Sequence, residues 1–417
     1  MASFSFRAGN AGKLLRIPFY LAGRIANAVV PRGDRWVFGC GAGIGDGALA
    51  LWPIVREQGH PAVWLTGSER EETDAHALGI PTLPRDSLRG WWATARAGVV
   101  VVTHGLGDVN RYASSGAFVV QLWHGIPLKR IGLDSPATVQ SAILPGSGLV
   151  RRVLGLLYRE TARRIRVLPA ASDRARGRLE SAFGLGVEQV LVTGEPRVDV
   201  LSAGTPGERR AAAEERLNTV TGALPLDARV LLYAPTWRDG APDPAVPSAA
   251  EWARILRLLE DRNAVLLVRS HPLGEGGYQP PADADRIRLI GASVLADVTP
   301  ILPAVDVLIT DYSSLAYDVG LLGMPVVYLA PDPEDYARSR GFYGAYRDVA
   351  GDDFARDWGD ALVQIDQVLG DHDEFTARSA RSSTLSAEMH AYRDGRNAWR
   401  VYRAIRSRVV LGPKGAE

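Results

Sequence analysis

Five short segments carry the residue types that could do chemistry, and each lies at or just past the end of an apolar run. They are Trp123-His124-Gly125-Ile126-Pro127-Leu128-Lys129, Gly194-Glu195-Pro196-Arg197-Val198-Asp199, Tyr233-Ala234-Pro235-Thr236-Trp237-Arg238, Arg269-Ser270-His271-Pro272 and Thr310-Asp311-Tyr312-Ser313-Ser314. Together they offer two histidines, several cations, hydroxyls and backbone turns, and no cluster of carboxylates suited to gripping a metal. Such a set suits a diphosphate whose charge is met by arginines and helix termini rather than by a protein-held cation.

The last segment shows why position matters. It follows the β-branched run Val307-Leu308-Ile309 and precedes Leu315–Leu322, which reads as a helix stopped by Gly323. Ser313 and Ser314 therefore fall where unpaired N–H groups and a positive dipole end converge, a place that accepts an anion. Ordinary N-capping by Asp311 and the serines is the alternative at this window. A bare carboxylate would repel a phosphate, so Asp311 is expected to cap or orient a neighbour.

The elements that would hold these segments alternate strand and helix from Arg35 onward, the pattern of an α/β protein with parallel sheets. Strands are expected at Trp36–Cys40, Ala62–Leu65, Val99–Thr103, Phe118–Leu122, Val167–Ala170 and Val190–Val192 in the first half. In the second half they fall at Val230–Ala234, Ala264–Val268, Ile287–Leu289, Asp306–Thr310 and Val326–Leu329. Ligands of open parallel sheets collect at the carboxyl ends of such strands, where all five segments sit. Gly39, Gly41, Gly43, Gly45 and Gly47 follow the first strand. They read as a turn that lets a helix approach the sheet, or as an imperfect dinucleotide fingerprint lacking its acidic partner.

A chain of 417 residues, 46% hydrophobic and 23% charged, exceeds one compact core. Residues 1–33 read as a basic amphipathic segment, 34–205 and 206–372 as two domains, and 373–417 as a helical tail. The net charge of +1 speaks against a nucleic-acid binder. One cysteine, Cys40, excludes an internal disulfide, and the histidines lack zinc spacing. No run is apolar enough to span a membrane. The first thirty residues nonetheless interleave arginines with Leu, Ile, Phe and Val and hold no acid before Asp34. They suit either an anionic membrane surface or packing on their own domain. Arg151, Arg152, Arg159, Arg163, Arg164 and Arg166, interleaved with Val153, Leu154, Leu156 and Leu157, pose the same choice.

The ordered set of five segments, with Arg340-Gly341-Phe342-Tyr343 beyond them, resembles the CDP-glycerol glycerophosphotransferase family of teichoic-acid primases and polymerases across roughly residues 100 to 370. The resemblance implies a GT-B-like architecture, two Rossmann-like domains with parallel sheets facing across a cleft, with the nucleotide in the second and the tail returning to the first. It implies transfer of an alditol phosphate from a CDP-alditol donor to a lipid-linked glycan or teichoic-acid acceptor, with release of CMP and no cofactor or metal. His124 would be the general base, since a neutral imidazole takes a proton near physiological pH, or else it ties down the Gly125-x-Pro127 turn. His271 would stabilise charge on the diphosphate. Thr236, Arg238, Arg269, Thr310, Ser313 and Ser314 would contact the donor, and Lys129 the acceptor. Arg197 with Asp199 would form an ion pair at the domain hinge. His104 stands where the family more often carries Asn or Asp, which bears on the acceptor. A peripheral place on the cytoplasmic leaflet would bring such an enzyme to its acceptor. The competing reading is a GT-B nucleotide-sugar glycosyltransferase or a UDP-N-acetylglucosamine 2-epimerase-like enzyme.

Overall fold

The structure, a computed structural model, describes residues 17–135, 138, 148–236, 238, 242–270 and 277–410. His271 and Trp237 lie outside the described residues. The chain divides into two units, one running to Asp199 and resuming at Arg396, the other spanning Val200–Gly395.

Seven strands form the first sheet: β1 (Trp36–Gly39), β2 (Ala62–Thr66), β3 (Thr82–Pro84), β4 (Val99–Val102), β5 (Phe118–Gln121), β6 (Ile165–Ala170) and β7 (Val190–Val192). Their order is β3-β2-β1-β4-β5-β6-β7, and every pairing is parallel. Both faces are covered, which explains the unbroken apolar runs. Trp36, Phe38, Val99 and Val101 enter one core with Leu51, Trp52 and Trp64, while Val37, Val100 and Val102 enter another with Val63 and Leu65. That two-residue alternation is the strand period, filled with hydrophobic side chains on both sides. β3 carries a proline and only three residues at the sheet edge, where a missing N–H is tolerated. Its apolar signal is too short to be read from the chain.

The second sheet holds β8 (Arg229–Ala234), β9 (Ala264–Val268), β10 (Ile287–Leu289), β11 (Val307–Thr310) and β12 (Val326–Tyr328), in the order β10-β9-β8-β11-β12, all parallel. Leu231, Tyr233, Leu266, Val268 and Ile309 pack there against Trp252, Ile255 and Leu259 from the helix Ala249–Asp261 and Trp358 and Ile365 from Trp358–Gly370. Reciprocal capping boxes, Thr205 with Glu208 and Ser248 with Glu251, fix the starts of Pro206–Thr221 and Ala249–Asp261. The expected helix over 315–322 is an α-helix only across Leu315–Val319, followed by a 3-10 turn, Gly320–Leu322.

Two boundaries differ from the sequence reading. The units part at Asp199, because Pro206–Thr221 packs on Thr299–Ala304 within the second. The tail is also split. His372–Met389 stays in the second unit, where a Cβ on Gly320 would lie 2.2 Å from the Ser382 carbonyl oxygen. Only Asn397–Val410 belongs to the first, with Val401, Tyr402 and Ile405 buried against the core around Trp36 and Leu51. Asp199 accepts hydrogen bonds from the N–H groups of Asn397 (2.9 Å) and Ala398 (2.8 Å) and so anchors the start of that helix. Arg197 pairs with Glu195, at 2.9 Å and buried.

Candidate functional site

In each sheet the strand order reverses once, between β1 and β4 and between β8 and β11. Open parallel sheets bind ligands outside the carboxyl ends of the strands at that switch point. The residues described next lie at or beside those two places.

Val102 of β4 stands opposite Gln121 of β5, so the segments leaving these strands run side by side. Two residues on from Val102 is His104; three on from Gln121 is His124. Their rings stack, with centroids 4.4 Å apart and planes 11° from parallel. The loop carrying His104 is fixed by Asp108. Its Oδ2 accepts from the N–H groups of Thr103 (3.0 Å), His104 (2.7 Å) and Gly105 (3.3 Å). Nδ1 of His104 meets the Thr103 hydroxyl at 2.8 Å, which sets the orientation of the ring.

The Gly-rich turn after β1 closes over the same loop. A Cβ on Gly39 would lie 2.1 Å from the Asp108 carbonyl oxygen, and one on Gly41 would lie 3.1 Å from the His104 ring. These glycines serve close backbone approach, as a packing turn does.

His124 is aimed by its neighbour as well. Trp123 adopts φ 63, a left-handed conformation uncommon for a bulky residue and costly to hold. Its indole contacts the His124 ring at 4.1 Å and meets Phe183 edge-on at 5.1 Å. The Nδ1 of His124 is buried and has no hydrogen-bond partner among the described residues. Burial pushes the His124 imidazole well below the ordinary histidine value, and His104, Arg197 and Lys129 push it further in the same direction. His104 is lowered too, by burial against the opposing pull of Asp108. Both rings are therefore neutral at neutral pH, and a neutral ring can accept a proton. Replacing His104 with phenylalanine keeps a flat ring against His124 and removes the imidazole. The acid limb of a kcat profile should then move upward by as much as about one pH unit. An unmoved limb would leave His104 a packing residue only.

The second switch point is built around Arg238. Its guanidinium donates to Asp332 through Nε (3.0 Å) and Nη2 (2.8 Å), and through Nη1 to Asp311 (2.9 Å) and to the Thr236 carbonyl. It also lies 4.9 Å from the ring centroids of both Tyr312 and Tyr336. Asp311 completes the clamp, its Oδ1 accepting from the N–H of Thr236 (2.8 Å) and of Tyr312 (2.6 Å). Burial raises the Asp311 carboxyl, against the pull of Arg238 and Thr236. The loop after β8 is thus tied to the loop after β11 across the switch point.

Several sequence expectations change here. Each guanidinium nitrogen of Arg238 already meets a protein acceptor, so it braces the site where it was expected to meet phosphate. Arg269 donates to the carbonyls of Ile290 (2.8 Å), Leu295 and Ala296 (3.0 Å), holding the segment after β10. Thr310 is fully buried and its hydroxyl donates to the Ala234 carbonyl at 2.6 Å, so it links β11 to β8. Asp311 orients its neighbours. Ser313 and Ser314 remain half-buried beside the five-residue helix, with the Ser313 hydroxyl accepting from the Leu315 N–H at 3.2 Å. Thr236 is buried with its N–H on Asp311, and Lys129 is half-buried close enough to act on His124. Among the described residues no group of His, Cys, Asp and Glu could hold a metal ion. Asp332 and Tyr336 escaped the sequence reading, because nothing near them in the chain marks them as partners of Arg238.

This architecture and these segments can be set beside known proteins. The chain is 29% identical over 306 residues to the teichoic acid glycerol-phosphate transferase of Staphylococcus aureus (strain NCTC 8325 / PS 47), covering 71% of this chain and 74% of that one. It spans 35% of the length of longer teichoic acid polymerases that it also matches. The solved wall teichoic acid polymerase TagF superposes with a TM-score of 0.74 at 20% identity, over 97% of each chain. A UDP-N-acetylglucosamine 2-epimerase superposes with a TM-score of 0.53 at 15% identity, over 93% of this chain and 99% of that one. Both likenesses concern the fold, which is GT-B-like. The family model for CDP-glycerol:poly(glycerophosphate) glycerophosphotransferases matches residues 43–407, taking in the stacked histidines and the Arg238 clamp. The chain belongs to that family.

Proposed function

We propose that this protein transfers glycerol phosphate, or a related alditol phosphate, from a CDP-alditol to a hydroxyl of a membrane-linked glycan or teichoic-acid-type acceptor, releasing CMP. The observation that carries the reading is His124, a neutral imidazole fixed by His104 and Trp123 at the carboxyl edge of the first sheet. In the step, His124 takes the acceptor's hydroxyl proton as the acceptor oxygen bonds to the β-phosphorus of the donor. The bond from that phosphorus to the CMP oxygen breaks, and a new phosphodiester remains. Ser313 and Ser314, with the amides around them, receive the donor diphosphate, joined by Thr236 and by His271 in its stabilising role. Lys129 and Arg197 add positive charge beside the base. Family membership and the teichoic acid enzymes that the chain matches support the donor class.

No helix among the described residues is long and apolar enough to cross a membrane. We place the protein peripherally on the cytoplasmic leaflet, where a lipid-linked acceptor is reached. The test is nucleotide release from CDP-glycerol, CDP-ribitol and a UDP-sugar, with mass analysis of a lipid-linked disaccharide acceptor. Cytidine monophosphate should appear only with a CDP-alditol, and the acceptor should gain one or more alditol phosphates. Release of UDP from the sugar nucleotide, with CDP-glycerol untouched, would move the protein to the glycosyltransferase or epimerase reading.

A further inference from the structure

Of the two stacked rings after β4 and β5, only His124 takes part in the reaction above, yet His104 is the more firmly built. Asp108 is buried under the turn that carries it. One oxygen of that carboxylate gathers the N–H groups of Thr103, His104 and Gly105 and also the Thr103 hydroxyl, at 3.3 Å. Gly105 takes φ 143 and a 3-10 turn, Leu106–Asp108, follows, so the chain turns back directly after His104. The fully buried Thr103 meets Nδ1 of the ring at 2.8 Å, and the Gly41 backbone closes behind it. Stacking alone needs none of these hydrogen bonds. A ring that only packs is held by contact, as Trp123 is against Phe183.

One nitrogen of each imidazole remains open. Nδ1 of His104 is engaged by Thr103, and Nδ1 of His124 is sealed from solvent. Nε2 of each ring belongs to a half-buried residue, is not sealed in this way, and meets no hydrogen-bond partner among the described residues. With centroids 4.4 Å apart and planes 11° from parallel, the two rings can be spanned by groups on neighbouring atoms of one ligand. The charge state says which groups these are. A neutral ring with one open nitrogen offers a hydrogen bond and no charge, whereas a phosphate is better met by Lys129 and Arg197 close by. A hydroxyl both donates and accepts, so it suits a neutral imidazole in either tautomer. One hydroxyl is already assigned, the attacking one on His124. In a polyol the next hydroxyl sits on the adjacent carbon, little more than a hydrogen-bond length away.

We propose that His104 binds the hydroxyl adjacent to the attacking one, so that the acceptor site selects a vicinal diol and the two histidines hold its oxygens side by side. The assignment rests on the reading of His124 as the base, and it adds a second feature that the acceptor must carry. Two points of attachment fix the direction of the attacking oxygen where one would leave it free to turn. An alditol phosphate and a sugar ring both present such a diol, and His104 reads the same chemistry in either.

The test measures kcat/KM for CMP release from CDP-glycerol by the full chain on two pairs of lipid-linked acceptors. One pair ends in glycerol phosphate or in propane-1,3-diol phosphate, which lacks the middle hydroxyl. The other is an unprimed disaccharide with or without the ring hydroxyl next to its acceptor hydroxyl. The pair that supports turnover identifies the source of the diol. Within it the parent protein should favour the diol by about tenfold, the worth of one hydrogen bond at a half-open site. His104→Phe keeps a flat ring against His124 and should bring that ratio to within a factor of about two of unity, since no hydrogen bond is left to lose. His104→Gln, whose amide reaches toward the place of Nε2, should keep part of the preference. Ratios are read above the acid limb of each protein, so a shift in the titration of His124 does not enter them. A parent indifferent to the neighbouring hydroxyl, a measurement that needs no variant, overturns the assignment. So does a preference that survives His104→Phe undiminished. Either result with CMP still released leaves the activity reading standing, whereas no release on any acceptor removes that reading and this assignment with it.

Discussion

Replacing His124 with alanine should lower kcat for cytidine nucleotide release by two to four orders of magnitude, the range over which a positioned general base contributes. The Michaelis constant for CDP-glycerol should change little, because the donor's phosphates are assigned to other groups. His124→Gln is the sharper companion, since it keeps a hydrogen-bonding side chain that cannot take up a proton. The pH profile of the parent protein supplies an independent sign. Burial first, then His104, Arg197 and Lys129, disfavour the charged ring, so the working neutral form persists as the medium is acidified. Activity should hold through the ordinary histidine range near about 6.5 and fall only below it. Variants that keep more than about a tenth of the parent turnover would remove His124 from the chemistry. An acid limb at or above the ordinary value would contradict the electrostatics of its pocket.

The second large effect concerns Arg238 and is expected in stability before activity. Arg238→Met leaves Asp311 buried without its cation, and breaking a buried pair in this way costs about 3–5 kcal/mol. Urea unfolding followed through the second unit should show that loss. Arg238→Lys should not rescue it, since an ammonium cannot bridge two carboxylates as the guanidinium fork does. Combining Arg238→Met with Asp311→Asn should recover part of the loss, because the stranded charge is gone. The contrast with a substrate-contact role is direct. A phosphate ligand lost from the surface of a site raises the Michaelis constant and leaves the unfolding midpoint nearly where it was. That outcome would return Arg238 to the donor.

The same residue shows where sequence reasoning stops. Strands β1, β4, β8 and β11 were legible because burial on both faces leaves runs such as Val99-Val100-Val101-Val102 with no polar interruption. Placing the chemistry-bearing segments just past those strands followed from parallel topology alone. Whether an arginine at a strand end meets a ligand or its own protein depends on side chains far away in the chain. Asp332 is 94 residues from Arg238, and the carbonyls that hold Arg269 come from residues 290 to 296. Local composition carries no trace of either. His104 was visible as an unusual residue, yet its meaning required knowing that β4 and β5 are neighbours in the register Val102 to Gln121. A histidine shortly after each of two adjacent strands is a signal that sequence could have offered once the strand order was known.

The helix Asn397–Val410 has a consequence for how the protein is made. Val401, Tyr402 and Ile405 fill the core around Trp36 and Leu51, so the sheet that leaves the ribosome first is finished only when synthesis has passed Val410. The intervening Val200–Gly395 holds its own core and can fold in the meantime. Vectorial emergence therefore inverts the order of completion. Ribosomes arrested before residue 397 should display a protease-resistant second unit and a nicked, chaperone-bound first one.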